Sequence, residues 1–294
     1  MPVKTSHLRT PYVRQFLQAF DMDLGLLDDL EALVEACSSR NKRFERGMDK
    51  VRFEFERDQS KWNQSQLDAI FTLSERWRMR HGETPFKEGS SYDLIVTMGG
   101  ARLSPWQRGA YAALAMSEGR VKASTLVIGG SKRHLPMAEL PFITDYVDVE
   151  RLVSERNHQT FLVGGEEKSC ITEHDLCLAA EAKLVKAHPD LHIVTICVDM
   201  ERAGNHDVIA EVMNHKELFH SDRALSVAGV STQLYATGLD ADLWLDADTH
   251  DWRYYSAIGH PVDPIYSDRR TPTVYFNEIQ TTMCKKALAE LKGY

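Results

Sequence analysis

Apolar positions along the chain follow one period up to about residue 90 and another beyond it. In the first stretch the spacing is helical: Leu26, Leu27, Leu30, Leu33, Val34 and Cys37 share one face, and Leu67, Ile70, Phe71, Ser74 and Trp77 nearly repeat the pattern. Between these stripes, Ser38 to Asp58 is crowded with Arg, Lys and Glu. Its Phe44, Val51, Phe53 and Phe55 fall too irregularly to define one face, so this part reads as a solvated helix or connector. Residues 1–90 are therefore expected to form a helical N-terminal segment without strands. Gly82 to Ser91, with its glycines, a proline and two serines, marks the boundary.

Beyond it, short apolar runs rich in β-formers alternate with helical patterns. Asp93 to Met98, Ser124 to Ile128, His192 to Val198 and Ala224 to Val230 read as four buried strands, and Asp242 to Leu245 and Thr273 to Phe276 as a fifth and sixth. Helices are expected from Ser104 to Gly119, from Thr172 to Ala187, from Asn205 to Met213 and from Asn277 to Lys292. This alternation predicts an α/β fold over residues 91–294: a doubly wound, mostly parallel, Rossmann-like sheet. Leu135 to Cys170 holds two prolines, an acidic run and Gly164-Gly165; it reads as a long irregular connection of the kind that forms lids or binding loops.

Local chemistry sharpens the first of these units. Ser104 can cap the free N–H groups of a helix, Pro105 suits a first-turn position, Gln107 sits where a capping box wants it, and Gly119 can close the helix. Gly99 and Gly100 break the preceding strand, and Arg102 adds a planar charged fork to the turn. A strand, glycine turn and helix in that order aim backbone N–H groups at one point, as α/β proteins do for polar and anionic ligands. The second strand is followed by Gly129, Gly130, Ser131, Lys132 and Arg133, the third by Asp199, Glu201, Arg202 and Asn205, and the fourth by Ser231, Thr232 and Gln233. Ends of parallel strands open onto a common crevice, so these are the candidate ligand-binding residues. Asp199 and Glu201 are the candidate general bases, or grips for a ribose or amine.

Composition narrows the function classes. Of 294 residues, 43% are hydrophobic and 27% charged, as in ordinary globular chains, and the formal charge of −8 argues against nucleic acid as the default partner. No apolar run approaches a membrane span, and the first residues lack the apolar core of a signal peptide; a cytoplasmic location is expected. The five cysteines show no Cys-x-x-Cys pair, and read as reduced thiols. Asp246-Ala-Asp248-Thr-His250-Asp251 gathers hard donors and an imidazole but lacks the glycine and distal glutamate of a calcium loop, so it reads as a solvated acidic turn and no metal is expected. There is no Gly-x-Ser-x-Gly, His-Glu-x-x-His or Walker loop, which disfavours a serine hydrolase, a zincin and a P-loop nucleotidase.

One resemblance adds to this reading. Gly99-Gly100 with Arg102-Leu103, then Leu126-Val-Ile-Gly129-Gly130, then Thr172-Glu173 opening an Ala-rich helix, resembles the order of landmarks in the YdcF/SanA/ElyC-like family, over roughly residues 92 to 245. The resemblance implies a Rossmann-like fold and a polar small-molecule site, for a nucleotide or a ligand of the S-adenosylmethionine type. It matches Glu173 to the helix-opening glutamate, which joins Asp199 and Glu201 as a candidate catalytic residue, and Asn205 to the family's asparagine. The chain departs from the pattern in having Met200 in place of a glutamate, and Tyr235 and Gly238 in place of a histidine and an arginine. Three classes of function follow: a transferase or hydrolase on a nucleotide-like or phosphorylated substrate, a sensor holding such a ligand without turnover, and a scaffold recruiting a partner through the helical segment. The residues single out no cofactor.

Overall fold

A computed structural model describes residues 8–37, 62–100, 102–163, 166–201, 203–219, 224–261 and 271–293. The charged stretch from Ser38 to Asp58 lies outside them. Contacts divide the chain into two compact units: residues 84–232 with 246–260, and residues 1–83 with 233–245 and 261–294.

The first unit is built on a five-stranded sheet of β1 (Ser90–Thr97), β2 (Val121–Ser131), β6 (Ile193–Val198), β7 (Ser226–Thr232) and β8 (Tyr254–His260), in the order β6-β2-β1-β7-β8. Every pairing in it is parallel, from Ser90 opposite Val121 to Thr232 opposite His260. Parallel neighbours need crossovers, which α3 (Ser104–Ser117), α5 (Glu173–Ala187) and α6 (Asn205–Asn214) provide. The chain is thus an α/β protein with a doubly wound, Rossmann-like sheet. Tyr92 and Leu94 to Val96 are buried, as a strand covered on both faces requires, and each such side chain contributes about 1.5 to 3 kcal/mol of hydrophobic stabilisation.

Three local expectations change. Gly129 and Gly130 do not end their strand: β2 runs on to Ser131, with Gly129 opposite Ile196 and Gly130 opposite Cys197. Ser104 is the first helical residue of α3, whose cap position, Leu103, makes no side-chain cap hydrogen bond; Gly119 nonetheless takes the left-handed φ of +71° expected after a helix end. Gly204 rather than Asn205 caps α6, its N–H donating 2.7 Å to the Asp207 carboxylate, because the acidic residue three positions on reaches back to it. The Thr172 cap of α5 is as expected: Asp175 accepts from the Thr172 N–H at 2.7 Å, and the Thr172 hydroxyl accepts from the Asp175 N–H at 3.4 Å.

The expected irregular connection is largely ordered. It carries β3 (His134–Pro136), a 3-10 helix at Met137–Phe142, α4 (Val149–Glu155), β4 (Thr160–Val163) and β5 (Glu166–Thr172), and the three strands form an antiparallel sheet in the order β3-β5-β4.

The second unit is helical. It contains α1 (Pro11–Ala19), a 3-10 turn at Leu24–Leu27, helical residues 30–37, α2 (Gln64–Arg76), the first part of α7 (Gln233–Thr249) and α8 (Pro272–Leu291). Its core joins Phe16, Phe20 and Trp62 to Phe276, with ring centroids 4.6 to 5.7 Å apart. Asp242 to Leu245 and Thr273 to Phe276, expected as strands, are therefore helical. A four-residue apolar run has no period of its own; the deciding signal is Thr271-Pro272, where the Thr271 hydroxyl caps the Val274 N–H at 3.3 Å and proline opens the helix.

Candidate functional site

In an open α/β sheet the favoured ligand position is the carboxyl edge where strand order reverses, here between β1 and β7. That crevice is occupied by the protein itself. Arg108, from the second turn of α3 and 3% exposed, donates through Nη1 to the carbonyls of Met98 and Gly99 and through Nη2 to the Thr232 hydroxyl at 3.1 Å. Thr232 lies 3.3 Å from His260 Nε2. A guanidinium bonded on both sides ties the two strand ends together.

The glycines next to it are explained by the same close packing. A Cβ on Gly99 would lie 2.1 Å from Glu173 Oε1, one on Gly100 would lie 2.8 Å from Ser104 Cβ, and one on Gly130 would lie 2.7 Å from Cys177 Sγ. Glu173 is buried where it accepts from the Ser131 hydroxyl at 2.6 Å, donates its backbone N–H to the Arg133 carbonyl at 2.9 Å, and has the Arg133 guanidinium 3.9 Å away. Arg102 is 1% exposed, at a left-handed φ of 55°; its Nε donates 2.8 Å to the equally buried Glu139, and its guanidinium lies over the Phe142 ring. These groups hold the carboxyl edge together. Ser231 is buried in β7, and Gln233 gives its amide to the Arg78 carbonyl at 2.8 Å within the helical unit. Arg202 lies outside the described residues.

An open cleft of 610 Å³ lies beside this plugged crevice, at the carboxyl ends of β2 and β6. Lys132, immediately after β2, and Asp199 and Glu201, immediately after β6, line it, together with His134 and residues of the small antiparallel sheet and α5. Lys132 Nζ and Asp199 are 3.2 Å apart, with the lysine side chain about half exposed and the aspartate mostly so, so the pair is weak and open to exchange with a ligand. Glu201 accepts the backbone N–H of His134 at 3.1 Å.

His134 is held more firmly. Its Nδ1 is 3.0 Å from the Ser169 carbonyl, which can only accept, so the proton sits on Nδ1 and the neutral ring keeps Nε2 as an acceptor. Its ring lies 4.2 Å from that of Phe161, centroid to centroid. Arg156, also lining the cleft, grips Asp175 through two hydrogen bonds of 2.8 and 2.6 Å. Burial pushes the Asp175 carboxyl up, but the hydrogen bonds from Arg156 and Thr172 outweigh it and hold the group below the ordinary carboxylate range.

Of the sequence-derived candidates, the cleft brings together Lys132, Asp199 and Glu201, and it adds His134, Arg156, Phe161, His174 and Asp175. Two of the additions, Arg156 and Phe161, come from the segment expected to be irregular, and His174 and Asp175 from the first turn of α5. His134 follows Lys132-Arg133 directly, and that adjacency was its only signal. The supposed acidic turn differs as well: Asp246 is fully buried and bonded to His206 Nδ1, and among the described residues no group of three metal-ligating side chains exists. Among the same residues no helix is long and apolar enough to cross a membrane.

Fold and cleft together define a Rossmann-like α/β protein with an open polar cleft at the carboxyl edge of its sheet. No family model, curated protein or solved structure matches the chain.

Proposed function

We propose that this protein binds a polar small molecule of the nucleotide-like class in the cleft at the carboxyl ends of β2 and β6, and that it acts on it as a transferase or hydrolase. The observation that carries the reading is the convergence, in one open cleft, of an exchangeable lysine, a histidine of fixed tautomer and two carboxylates. The position also accords with the general placement of ligands in such sheets, and the resemblance to YdcF/SanA/ElyC-like proteins is in keeping with it.

In this reading His134 Nε2 accepts a proton from a hydroxyl or water, because Ser169 fixes its tautomer and Glu201 anchors its backbone. Lys132 and Asp199 orient the ligand. Glu173 has a supporting part, since its buried carboxylate fastens Ser131 and Arg133 behind the cleft.

A thermal-shift screen with nucleotides, S-adenosylmethionine and sugar phosphates tests the reading. A ligand at a hundred times its Kd stabilises its unit by about 2.7 kcal/mol. His134→Ala should leave binding within a few fold and remove turnover of the best hit. A hit without turnover would make the protein a sensor, and the absence of any hit would favour the scaffold reading.

A further inference from the structure

Resting on that reading, we infer that the ligand is a nucleoside-class molecule, held by its aromatic ring and sugar hydroxyls, rather than a polyphosphate. Two observations point this way. The first is charge: among the described lining residues with a fixed charge at neutral pH, Lys132 and Arg156 face Asp175, Asp199 and Glu201, two cations against three carboxylates. Arg156 is moreover already committed to Asp175 through both of its terminal nitrogens. A triphosphate would meet one exchangeable cation and a net negative wall, the reverse of what phosphate recognition uses.

The second observation is the aromatic ledge. Phe161 is 37% exposed, on β4 at the edge of the small sheet, with its ring tilted 30° to that of His134 and 4.2 Å away. A large apolar ring left in solvent beside a polar cleft offers a stacking surface, and a nucleobase stacked on such a ring gains about 1 to 3 kcal/mol. Asn157 and Gln159 line the same cleft, and their amides can both donate to and accept from a base edge. Asp199 and Glu201, just past the end of β6, are carboxylates at a strand end, where acidic residues of α/β folds accept ribose hydroxyls.

Calorimetry on the full chain with adenosine, AMP, ATP and ribose 5-phosphate separates the possibilities. Adenosine should bind, ATP should bind no more than threefold tighter, and ribose 5-phosphate at least tenfold weaker. Phe161→Ala, a change at an exposed edge-strand position, should weaken adenosine at least tenfold while leaving the circular dichroism spectrum unchanged. ATP binding more than tenfold tighter than adenosine, or ribose 5-phosphate binding as well as adenosine with Phe161→Ala without effect, would overturn the inference while leaving a polar ligand in the cleft. If no probe binds and the thermal-shift screen is also blank, the inference falls together with the reading beneath it.

Discussion

Single residues show how environment sets chemistry. Glu278 in α8 is partly buried, with the Thr282 hydroxyl 3.4 Å away, and Lys285 bonds Asp242 at 2.7 Å rather than Glu278. Burial raises the Glu278 pKa to about 7, against the pull of Lys285 and with the added push of Asp242. An acid whose folded pKa is raised costs stability once the unfolded chain ionises. The cost is therefore nil below about pH 4.5, grows as pH rises, and is complete above about pH 7. Glu278→Gln should accordingly stabilise the helical unit by up to about 3 kcal/mol at pH 8 and by almost nothing at pH 4, as urea denaturation at the two pH values would show. An equal difference at both would mean that Glu278 is not desolvated.

Secondary elements meet at contacts that only glycine permits. The strand ends at Gly99 and Gly130 approach so closely that a Cβ on Gly99 would also lie 2.9 Å from Gly130 Cα. Both were expected to line a ligand site; in the structure a Cβ on Gly99 would meet Glu173 and one on Gly130 would meet Cys177. Gly99→Ala should therefore lower stability by about 1 to 3 kcal/mol, the usual cost of overpacking, whether or not ligand is present. A variant of unchanged melting temperature would contradict this packing. The strands Asp93 to Met98, Ser124 to Ile128, His192 to Val198 and Ala224 to Val230 were legible because buried parallel strands are continuous apolar runs bounded by turns. β8, Tyr254 to His260, was not: it lies at the sheet edge, half of it in contact with solvent, and carries no such run. The strands β3 to β5 also escaped notice, the first two because they are only three and four residues long and the central β5 because Glu166-Glu-Lys-Ser-Cys-Ile-Thr172 is mostly polar; with them went the cleft wall that holds His134 and Phe161.

On the scale of the whole chain, position in sequence and membership of a core differ. α8, at the C-terminal end of the sequence, completes the core around Phe16 and Trp62, so a reading in sequence order could not assign it there. Phe276→Ala should cost about 3 to 5 kcal/mol, the range for truncating a buried aromatic. It should also strip hydrogen-exchange protection from α1 and α2, with β1 and β2 keeping theirs. The carboxyl edge shows the same limit: the strand ends were legible, but not which part of their edge Arg108 bridges and which stays open.

A backbone amide NMR titration with adenosine distinguishes the open cleft from the bridged crevice. The perturbed amides should cluster at Lys132, His134, Phe161 and Glu201, with those of Gly99, Arg108, Thr232 and His260 unmoved. Perturbations centred on Gly99, Arg108 and Thr232 would contradict this, since the ligand would then occupy the crevice that the arginine fills.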